Sequence, residues 1–492
     1  MSMETRIAQW GCFEAVYEGP QDGNPFVDVS FSATFNAGGR KLLSRGFYDG
    51  EGRYLIRMMP DMPGEWTYVT HSNVPALDGK EGAFYCDPAQ EGVHGPVVVQ
   101  STGGKASRPQ GMPAATRFAY ADGTPYIPVG TTCYVWNLQT DELEEQTLRT
   151  LAGAPFNKIR MCVFPKHYDY NHNEPRCYPF EGSLEAGFDF TRPNPAYFRH
   201  LEMRIRQLGE LGIEADLILF HPYDRWGFSS MGLDSDLHYL RYAVARLSSL
   251  HNVWWSLANE YDLMKAKSMT DWDTFFRVIA QEDYAAHLRS IHHCTVPYDH
   301  TKPWATHASM QTSELHRVCE WIDAYRKPVI VDECCYEGDI SWPWGNITAE
   351  ELVNRMWMGY TRGGYVTHGE TYLSEDEILW WAKGGTLKGQ SPARIAFLRE
   401  VLEAIPGVPE VARTDYNQPG GLRVGKDYFL HYYDIRQQRV KRLSLPEDRA
   451  YRVEVIDAWD CTVTPLEGTY SGTCEVPMPG KPYCGLRITA VE

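Results

Sequence analysis

The sequence predicts a multidomain α/β plus all-β protein, in which a central (β/α)8 TIM barrel is flanked by N-terminal and C-terminal β-sandwich domains. Three observations lead to this fold class. The chain has 492 residues, which allows about three domains of ordinary size. Both ends show the period-two hydrophobic alternation of strands, whereas strand-like and helix-like segments alternate in the middle. Hydrophobic residues make up 43% and charged residues 23%, so we expect a folded rather than a disordered chain.

The N-terminal β-sandwich is predicted over residues 1–100. Tyr54, Ile56 and Met58 alternate with Leu55 and Arg57, and Trp66, Tyr68 and Thr70 occupy alternate positions in the same way. Each run follows a turn rich in Gly, Asp or Pro, at 49–52 and 60–64. Strands of this length between closely spaced turns are typical of an antiparallel sandwich. The following segment, 101–111, is rich in small and basic residues and is predicted to lead out of this domain.

The barrel is predicted over residues 112–405, because about 280 residues with around eight strands fit a closed barrel better than an open sheet. Strands are expected at 125–130, 157–163, 215–220, 253–258, 304–307, 328–332 and 364–368. Helices are expected at 143–151, 198–211, 237–247, 272–291 and 352–360. Little room then remains for strand six, so we expect either a compressed strand near Met310 and Gln311 or an irregular barrel at this point.

The C-terminal domain is predicted over residues 406–492 as a small β-sandwich. Apolar runs at 422–424 and 428–430 flank the sequence Gly425-Lys426-Asp427, which is typical of a tight hairpin turn. Further strands are expected at 451–456 and 485–489. This domain and the N-terminal one could serve as structural supports or provide the interface of a homo-oligomer.

Charge and composition exclude several classes of function. The chain has 47 Lys+Arg against 64 Asp+Glu, a net charge of −17, which argues against binding nucleic acids or anionic membranes. No apolar run approaches the roughly 18 residues of a membrane helix. The first residues lack a signal-peptide pattern, so we expect a cytoplasmic protein. None of the 12 cysteines forms a C-x-x-C pair, and we expect reduced, packed thiols.

Two glutamates, Glu260 and Glu333, follow strongly apolar predicted strands. In a parallel barrel such strand ends meet at one face, where reactive groups belong. A pair of carboxylates across one cleft is what glycosidic hydrolysis needs, since one protonates the leaving oxygen and the other acts at the anomeric carbon. Asn259 could donate a hydrogen bond to a sugar hydroxyl. Twelve of the 15 Trp lie between Trp136 and Trp381, and such rings could stack on sugars as well as form a core.

Several stretches of the sequence resemble known proteins. The motif Asn259-Glu260 and the later Glu333 resemble clan A of the retaining glycoside hydrolases, and longer stretches resemble the apiosidase-like barrel family with an N-terminal fibronectin-like domain and a C-terminal β domain. These stretches are WWSLANEYD at 254–262, PWATHASMQ at 303–311, KPVIVDECCYEG at 327–338 and FYDGEGRYLIRMMPDMPGEW at 47–66.

The resemblance implies a role for each matching residue. It makes Glu260 the acid/base and Glu333 the nucleophile, with Arg160 in contact with the nucleophile, where a guanidinium would favour the ionised carboxylate. Less specific matches imply substrate contacts by Tyr336, His307 and Trp380 or its neighbour Trp381. Further substrate contacts are predicted from their positions after barrel strands, namely Trp136, His167, His221 and Glu370. No metal or organic cofactor is expected.

Structural alternatives stand beside these predictions. Arg160 could be a plain ion-pair partner, and Glu370 a solvated loop charge. Trp136 could cap the barrel instead of stacking on sugar. His167 and His172 have no matching Cys or acid at zinc-site spacing, so a structural or sugar-binding role is favoured.

The predicted function is that of a retaining, exo-acting β-glycosidase that hydrolyses short glycosides by double displacement. Its two carboxyl groups are expected about 5–5.5 Å apart. Exo action is expected because an intracellular hydrolase meets short imported glycosides. Alternatives are a non-catalytic carbohydrate-binding protein and an endo-acting hydrolase. The partner is a carbohydrate substrate, and the sugar stays open among apiose, xylose, arabinose, glucose and galactose.

Overall fold

The computed structural model describes residues 5–100, 116–412 and 420–491. The predicted connecting segment 101–111 lies outside the described residues. The described sheets form an N-terminal sandwich, a central parallel barrel and a C-terminal group of antiparallel strands. No helix in the described ranges is long and apolar enough to cross a membrane. All 12 cysteines are free thiols.

The N-terminal sandwich packs a five-stranded sheet against a three-stranded one. Its core is aromatic, and Phe13 stacks on Phe84 across the two sheets with ring centroids 4.1 Å apart. A short helix spans Pro25–Asp28. In spatial order, the larger sheet contains Arg6–Ala8, Glu81–Asp87, Gly64–Ser72, Phe31–Ala37 and Arg40–Arg45, and the smaller one Phe13–Glu18, Arg53–Met58 and Phe47–Tyr48.

The strand Arg53–Met58 connects this sandwich to the barrel. Its alternation is real, but both of its faces are buried. Tyr54 and Ile56 face the sandwich core, whereas Leu55 packs in the hydrophobic cluster of the barrel. Arg57 points the same way as Leu55 and pairs with Glu202 of a barrel helix at 2.9 Å. A strand with one buried charged residue therefore lies between two domains.

The central sheet has eight parallel strands, which we number one to eight along the chain. Strand one pairs with strands two and eight, as closure of a barrel requires. Strands five and six are joined by the backbone N–H of Thr306, which donates to the oxygen of Arg289 at 2.8 Å. The predicted (β/α)8 fold is confirmed. The strands are Gly130–Thr132, Lys158–Cys162, Glu214–Phe220, Val253–Ala258, Arg289–Ser290, Ala308–Gln311, Val329–Glu333 and Tyr365–His368.

Helices surround the barrel. Several begin at side-chain caps, as at Thr140, Ser268 and Thr348, whose hydroxyls accept backbone N–H groups of the first turn. The α-helices are Asp141–Ala152, Pro195–Glu210, Leu233–Leu247, Met269–Glu282, Val318–Tyr325, Ala349–Thr361, Trp380–Lys383 and Ser391–Glu403. Short 3₁₀ helices span Trp136–Leu138, Phe228–Ser230, Tyr261–Leu263, Leu315–Arg317 and Pro343–Gly345.

Small sheets complete the barrel domain. Phe180–Ser183 and Gly187–Pro193 form a hairpin, and Glu337–Gly338 pairs with Glu370–Thr371 beside the barrel mouth. A further antiparallel sheet packs Phe118 against Trp254 and Tyr365 of the barrel. That sheet consists of Val97–Val99, Phe118–Tyr120 and Pro125–Tyr126.

Three predicted elements were wrong. Pro125–Tyr126 belongs to the small antiparallel sheet, and the first barrel strand is Gly130–Thr132. The helix predicted over 272–291 ends at Glu282. The side chain of the next residue, Asp283, accepts hydrogen bonds from the Trp255 indole and from the backbone N–H of His287, outside the helix. Strand five is therefore Arg289–Ser290, and residues 304–307 precede strand six. Strand six includes Met310 and Gln311, as predicted.

The C-terminal strands form a six-stranded sheet and a two-stranded one. The predicted hairpin turn at 425–427 is confirmed, since Val424 pairs with Tyr428 across it. Leu443 and Val476 of the smaller sheet pack against the larger sheet. In spatial order, the larger sheet contains Glu410–Val411, Gly421–Val424, Tyr428–Tyr432, Cys484–Ala490, Tyr451–Asp457 and Thr462–Pro465, and the smaller one Val440–Ser444 and Thr473–Pro477.

Candidate active site

A cavity of about 200 Å³ opens at the C-terminal ends of the barrel strands, and Glu260 and Glu333 both line it. We call it the glutamate pocket. Each glutamate is nine-tenths or more buried. The remaining wall is largely aromatic, which suits a ligand with apolar faces. The rings are those of Tyr134, Tyr168, Tyr223, Tyr336, Trp342, Trp344 and Trp381.

Glu260 lies just beyond strand four, every residue of which is buried. Its backbone is left-handed, with φ +52°, a conformation that a non-glycine residue seldom adopts outside special sites. The Tyr223 hydroxyl donates to its carboxylate. Two amides also donate to it, Asn259 Nδ2 at 3.2 Å and Gln311 Nε2 at 3.4 Å. The carboxyl is therefore held from three directions.

The electrostatic surroundings of Glu260 favour its protonated form. Burial raises the pKa of this carboxyl, and the negative charge of Glu333 raises it further. The hydrogen bond from Tyr223 and the charge of Lys166 act in the opposite direction without reversing the shift. A raised pKa suits a carboxyl that acts as a general acid.

Glu333 is the last residue of strand seven. Its Oε1 accepts hydrogen bonds from Arg160 Nη1 at 3.2 Å and from the Tyr134 hydroxyl. Arg160 Nη2 also donates to Asn259 Oδ1 at 2.9 Å. The fully buried guanidinium thus links strands two and seven to the residue after strand four.

A neutral histidine and an ionic cluster support this arrangement. His292 Nε2 lies 3.8 Å from Glu333 Oε1, and burial, followed by the nearby Arg160 charge, holds the pKa of His292 well below its usual value. Deeper in the barrel, Asp332 Oδ1 lies 2.9 Å from Lys158 Nζ and 3.8 Å from Arg160 Nε. Burial opposes the ionisation of Asp332, but these two cations outweigh it and lower its pKa.

A buried lysine also lines the glutamate pocket. Lys166 follows strand two and is 2% exposed. Its ammonium nitrogen lies over a set of aromatic rings, at centroid distances of 3.4 Å for Tyr134, 4.2 Å for Tyr223, 4.4 Å for Tyr168 and 5.5 Å for Trp381. Burial lowers the pKa of Lys166 to about 8.

Three of the predicted contact residues lie at or beside the pocket. Tyr336 lines it, and Asn259 and Arg160 hold the two glutamates. Trp380 does not line it, because its indole turns inward and donates to Thr131 Oγ1 at 2.8 Å. The adjacent Trp381 faces the pocket instead.

The other five predicted contact residues lie outside the lining of the pocket. His307 precedes strand six and packs on Trp254 near the N-terminal end of the barrel, with ring centroids 5.4 Å apart. Trp136 is fully buried in the barrel core.

His221 is buried, with Nε2 3.3 Å from the Phe164 oxygen, and His167 lies against His172 and Trp226. Glu370 accepts the backbone N–H groups of Lys388 and Gly389 at 2.6 and 2.8 Å.

Sequence reasoning missed Lys166, Tyr168, Tyr223, Gln311, Trp342 and Trp344. For the first three, the available signal was their position within two residues of His167 or His221, which were chosen because they follow a strand. Backbone conformation beyond a strand end breaks the alternation of side-chain direction, so the sequence located the segment but not the side chain that faces inward.

Among the described residues, one group brings three metal-ligating side chains together, namely Glu337, His368 and Glu370. Both carboxylates already accept backbone N–H groups. Glu337 binds those of Gln390 and Ser391 at 2.7 and 3.1 Å, at the start of the helix Ser391–Glu403. Glu337 therefore caps this helix, at a position that favours negative charge, and Glu370 holds the two residues of the preceding loop.

Comparisons with known proteins agree with this geometry. A family model described as an apiosidase-like catalytic domain matches residues 113–401, and two domains of unknown function, DUF5060 and DUF5605, match residues 6–73 and 417–489. No curated protein matches the chain.

Two solved structures from Bacteroides vulgatus ATCC 8482 are similar to the chain. One, described as a "putative glycoside hydrolase", is 39% identical with a TM-score of 0.92 over 99% of this chain and 100% of that chain. The other, a family 5 glycoside hydrolase, is 15% identical with a TM-score of 0.61, covers 81% of this chain and 93% of that chain, and bears on the fold alone. Since the catalytic-domain model spans more than half of the chain, this protein belongs to the apiosidase-like family and is a glycoside hydrolase.

Proposed function

We propose that this glycoside hydrolase is a retaining, exo-acting β-glycosidase, with Glu333 as the nucleophile and Glu260 as the acid/base. The observation that carries the proposal is the pair of buried glutamates in one pocket with different surroundings. Burial and a neighbouring negative charge raise the pKa of Glu260, whereas Glu333 accepts hydrogen bonds from a guanidinium and a phenol. Two carboxyl groups with separated roles are what double displacement requires.

In the first step, a Glu333 oxygen bonds to the anomeric carbon as the glycosidic C–O bond breaks. The leaving oxygen takes the proton of Glu260 and departs as an alcohol. In the second step, Glu260 takes a proton from water, whose oxygen bonds to the anomeric carbon. The bond to Glu333 breaks, the sugar leaves, and both glutamates return to their starting states.

The surrounding residues position this pair. Arg160 and Tyr134 fix Oε1 of Glu333, and Tyr223 and Gln311 orient the Glu260 carboxyl. Asn259 bonds both Arg160 and Glu260, so the two glutamates keep their relative placement.

The size of the pocket supports exo action. Pockets for drug-sized ligands hold about 300–1,000 Å³, so the roughly 200 Å³ found here suits a single sugar residue better than a run of several. Trp342, Trp344 and Tyr336 wall it on the side of the short helix Pro343–Gly345. An endo-acting enzyme would need an open groove on both sides of the glutamates.

Hydrolysis of an aryl-glycoside panel tests the proposal. The panel contains β-apiosides, β-xylosides, β-glucosides, β-galactosides and α-arabinofuranosides, each with nitrophenyl and methyl leaving groups. We expect Glu333→Gln to lose about 10⁴-fold or more on every substrate. Glu260→Gln should lose about 10²–10⁴-fold on methyl glycosides and less on nitrophenyl glycosides, whose leaving groups need no proton.

The exposed Glu375 provides the matched control, and Glu375→Gln should keep wild-type rates. Equal losses of Glu260→Gln on both leaving groups would contradict the acid/base role. Undiminished turnover by Glu333→Gln would contradict the nucleophile role.

A further inference from the structure

Lys166 carries a charge that the proposed double displacement does not use. Its side chain is almost fully buried, yet its ammonium group faces the glutamate pocket. Four aromatic rings surround the nitrogen, the nearest being Tyr134 with its centroid at 3.4 Å. An ammonium group has three N–H donors, and ring faces attract the charge without accepting these donors as oxygen atoms do.

No oxygen atom completes this site from the protein. Across residues 5–100, 116–412 and 420–491, no carboxylate lies within ion-pair distance of Lys166 Nζ, and no oxygen accepts a hydrogen bond from it. The contrast with Lys158 is clear, since that equally buried lysine pairs with Asp216 at 2.6 Å and Asp332 at 2.9 Å. A buried cation without an oxygen partner is costly, and a negatively charged ligand would offset that cost.

The charges of the pocket favour an anion as well. Arg160 is already engaged by Glu333 and Asn259, so its charge is balanced within the protein. Lys166 therefore adds a positive charge to the pocket wall that, among the described residues, no carboxylate pairs with directly. A single ammonium suits one carboxylate, whereas a phosphate is more often met by several donors or a guanidinium fork.

We propose that Lys166 determines specificity by binding the carboxylate of an acidic sugar, so that the substrates are glycosides of uronic acids. This inference rests on the proposed function and names its substrate class. In this arrangement the carboxylate of the sugar lies near Lys166 Nζ, and one face of the sugar stacks on the aromatic wall of the glutamate pocket. The anomeric carbon lies between the two glutamates. The neutral sugars considered from the sequence lack the group that this lysine would bind.

Matched pairs of substrates test the proposal directly. They are 4-nitrophenyl β-glucuronide with β-glucoside, and 4-nitrophenyl β-galacturonide with β-galactoside. For the wild type we expect kcat/KM for one uronide to exceed that for its neutral partner by roughly 10- to 100-fold, the range of one hydrogen bond to a charged group. Lys166→Met keeps the length and removes the charge, and it should reduce this ratio by the same factor.

Lys265→Met is the control, because Lys265 is exposed and its loss should not change the ratio. A wild type that prefers the neutral partner in both pairs would overturn the proposal. So would equal losses by Lys166→Met on uronide and neutral glycoside, which would indicate a lysine that only supports the rings or binds hydroxyls.

Calorimetric binding separates failure of this inference from failure of the proposed function. Free glucuronate, galacturonate, glucose and galactose are titrated into wild type, Glu333→Gln and Lys166→Met. Uronate binding by the first two proteins and its loss in Lys166→Met would support the inference even if no glycoside is cut. Absence of uronate binding at millimolar concentration, or equal binding of the neutral sugars, would overturn it whether or not a neutral glycoside is hydrolysed.

Discussion

At the scale of single residues, the two glutamates differ through the atoms around them. Glu333 accepts hydrogen bonds from a guanidinium and a phenol, and Glu260 accepts them from a phenol and two amides. The amide groups carry no positive charge that would cancel the effects of burial and of Glu333, and these two effects raise the pKa of Glu260. The left-handed backbone at Glu260 holds this carboxyl in place at a conformational cost of about 1–3 kcal/mol.

Tyr223 should set the position of the basic limb of the pH profile. Its hydroxyl donates to Glu260 and lowers the pKa of that carboxyl. Tyr223→Phe removes this stabilisation of the carboxylate, so the pKa of Glu260 rises. Because activity requires protonated Glu260, the basic limb of kcat/KM should move to higher pH. Steady-state rates across the pH range of stable protein measure this shift.

Tyr178→Phe is a suitable control, since that hydroxyl binds Glu174 away from the pocket. A basic limb that moves to lower pH in Tyr223→Phe, or that stays at the wild-type position, would contradict the assignment of Glu260 as the acid.

The sequence predicted both pocket glutamates because they lie at or just beyond the ends of strongly apolar strands, whereas Arg160 was implied by the resemblance to clan A and lies within strand two. It did not predict Lys166 or Tyr223, which lie in loops after strands two and three. In those loops the direction of a side chain depends on local turns and on packing against neighbouring loops. A pattern of period two therefore has no meaning there.

At the scale of elements, the barrel strands with a strongly apolar sequence were predictable, whereas strand one was placed too early and strand five was missed. Strands three, four and seven are buried along their whole length and mostly apolar, which is the signal of a parallel sheet. Strand five, Arg289–Ser290, has two polar residues and no such signal. Residues 291–307, all described, contain no helix between strands five and six, so the alternation of helix and strand fails there.

The connection after strand eight should control the pocket wall through Gly369. A Cβ at this position would lie 2.0 Å from Tyr336 Cδ1, so the ring would have to move. We expect Gly369→Ala to destabilise the protein by about 1–3 kcal/mol, the usual cost of overpacking. It should also lower kcat/KM, because Tyr336 lines the pocket. Denaturant unfolding and steady-state kinetics measure the two effects.

Gly153 provides the comparison, since an added Cβ there meets only the Thr150 oxygen at 3.9 Å. Gly153→Ala should leave activity at the wild-type level. A Gly369→Ala variant with wild-type stability and activity would show that Tyr336 can move without consequence.

At the scale of the whole molecule, a buried ionic cluster joins the N-terminal sandwich to the barrel. Glu202 forms ion pairs with Arg57 of the sandwich at 2.9 Å and with Arg246 of the barrel at 2.7 Å. Arg246 also pairs with Asp49 at 2.7 Å. The length and the hydrophobic pattern of the chain predicted separate domains. They could not predict this contact, since partners far apart in sequence leave no local pattern.

Removing the charge of Glu202 should weaken this contact. Glu202→Gln leaves two buried guanidiniums with less negative charge, and we expect a loss of about 3 kcal/mol in the free energy of unfolding. Burial opposes ionisation of Glu202, but Arg246 and Arg57 outweigh it and lower its pKa. The stabilisation is therefore complete above the ordinary Glu pKa of about 4.3 and is lost as pH falls through the lower folded-state value.

Thermal unfolding followed by circular dichroism at several pH values checks this prediction. The difference between wild type and Glu202→Gln should be largest near neutral pH and shrink in acid. Glu210→Gln, at an exposed site on the same helix, should match the wild type throughout. A difference that grows as pH falls would contradict the account.

The most direct test of the retaining mechanism is the anomeric configuration of the first-formed product. A substrate identified from the glycoside panels is hydrolysed with a large amount of enzyme, and proton NMR follows the anomeric signal before mutarotation. Attack by Glu333 followed by attack by water inverts the anomeric carbon twice, so a β-glycoside should first release the β-sugar. Initial release of the α-sugar would contradict Glu333 as a nucleophile and would mean direct attack by water.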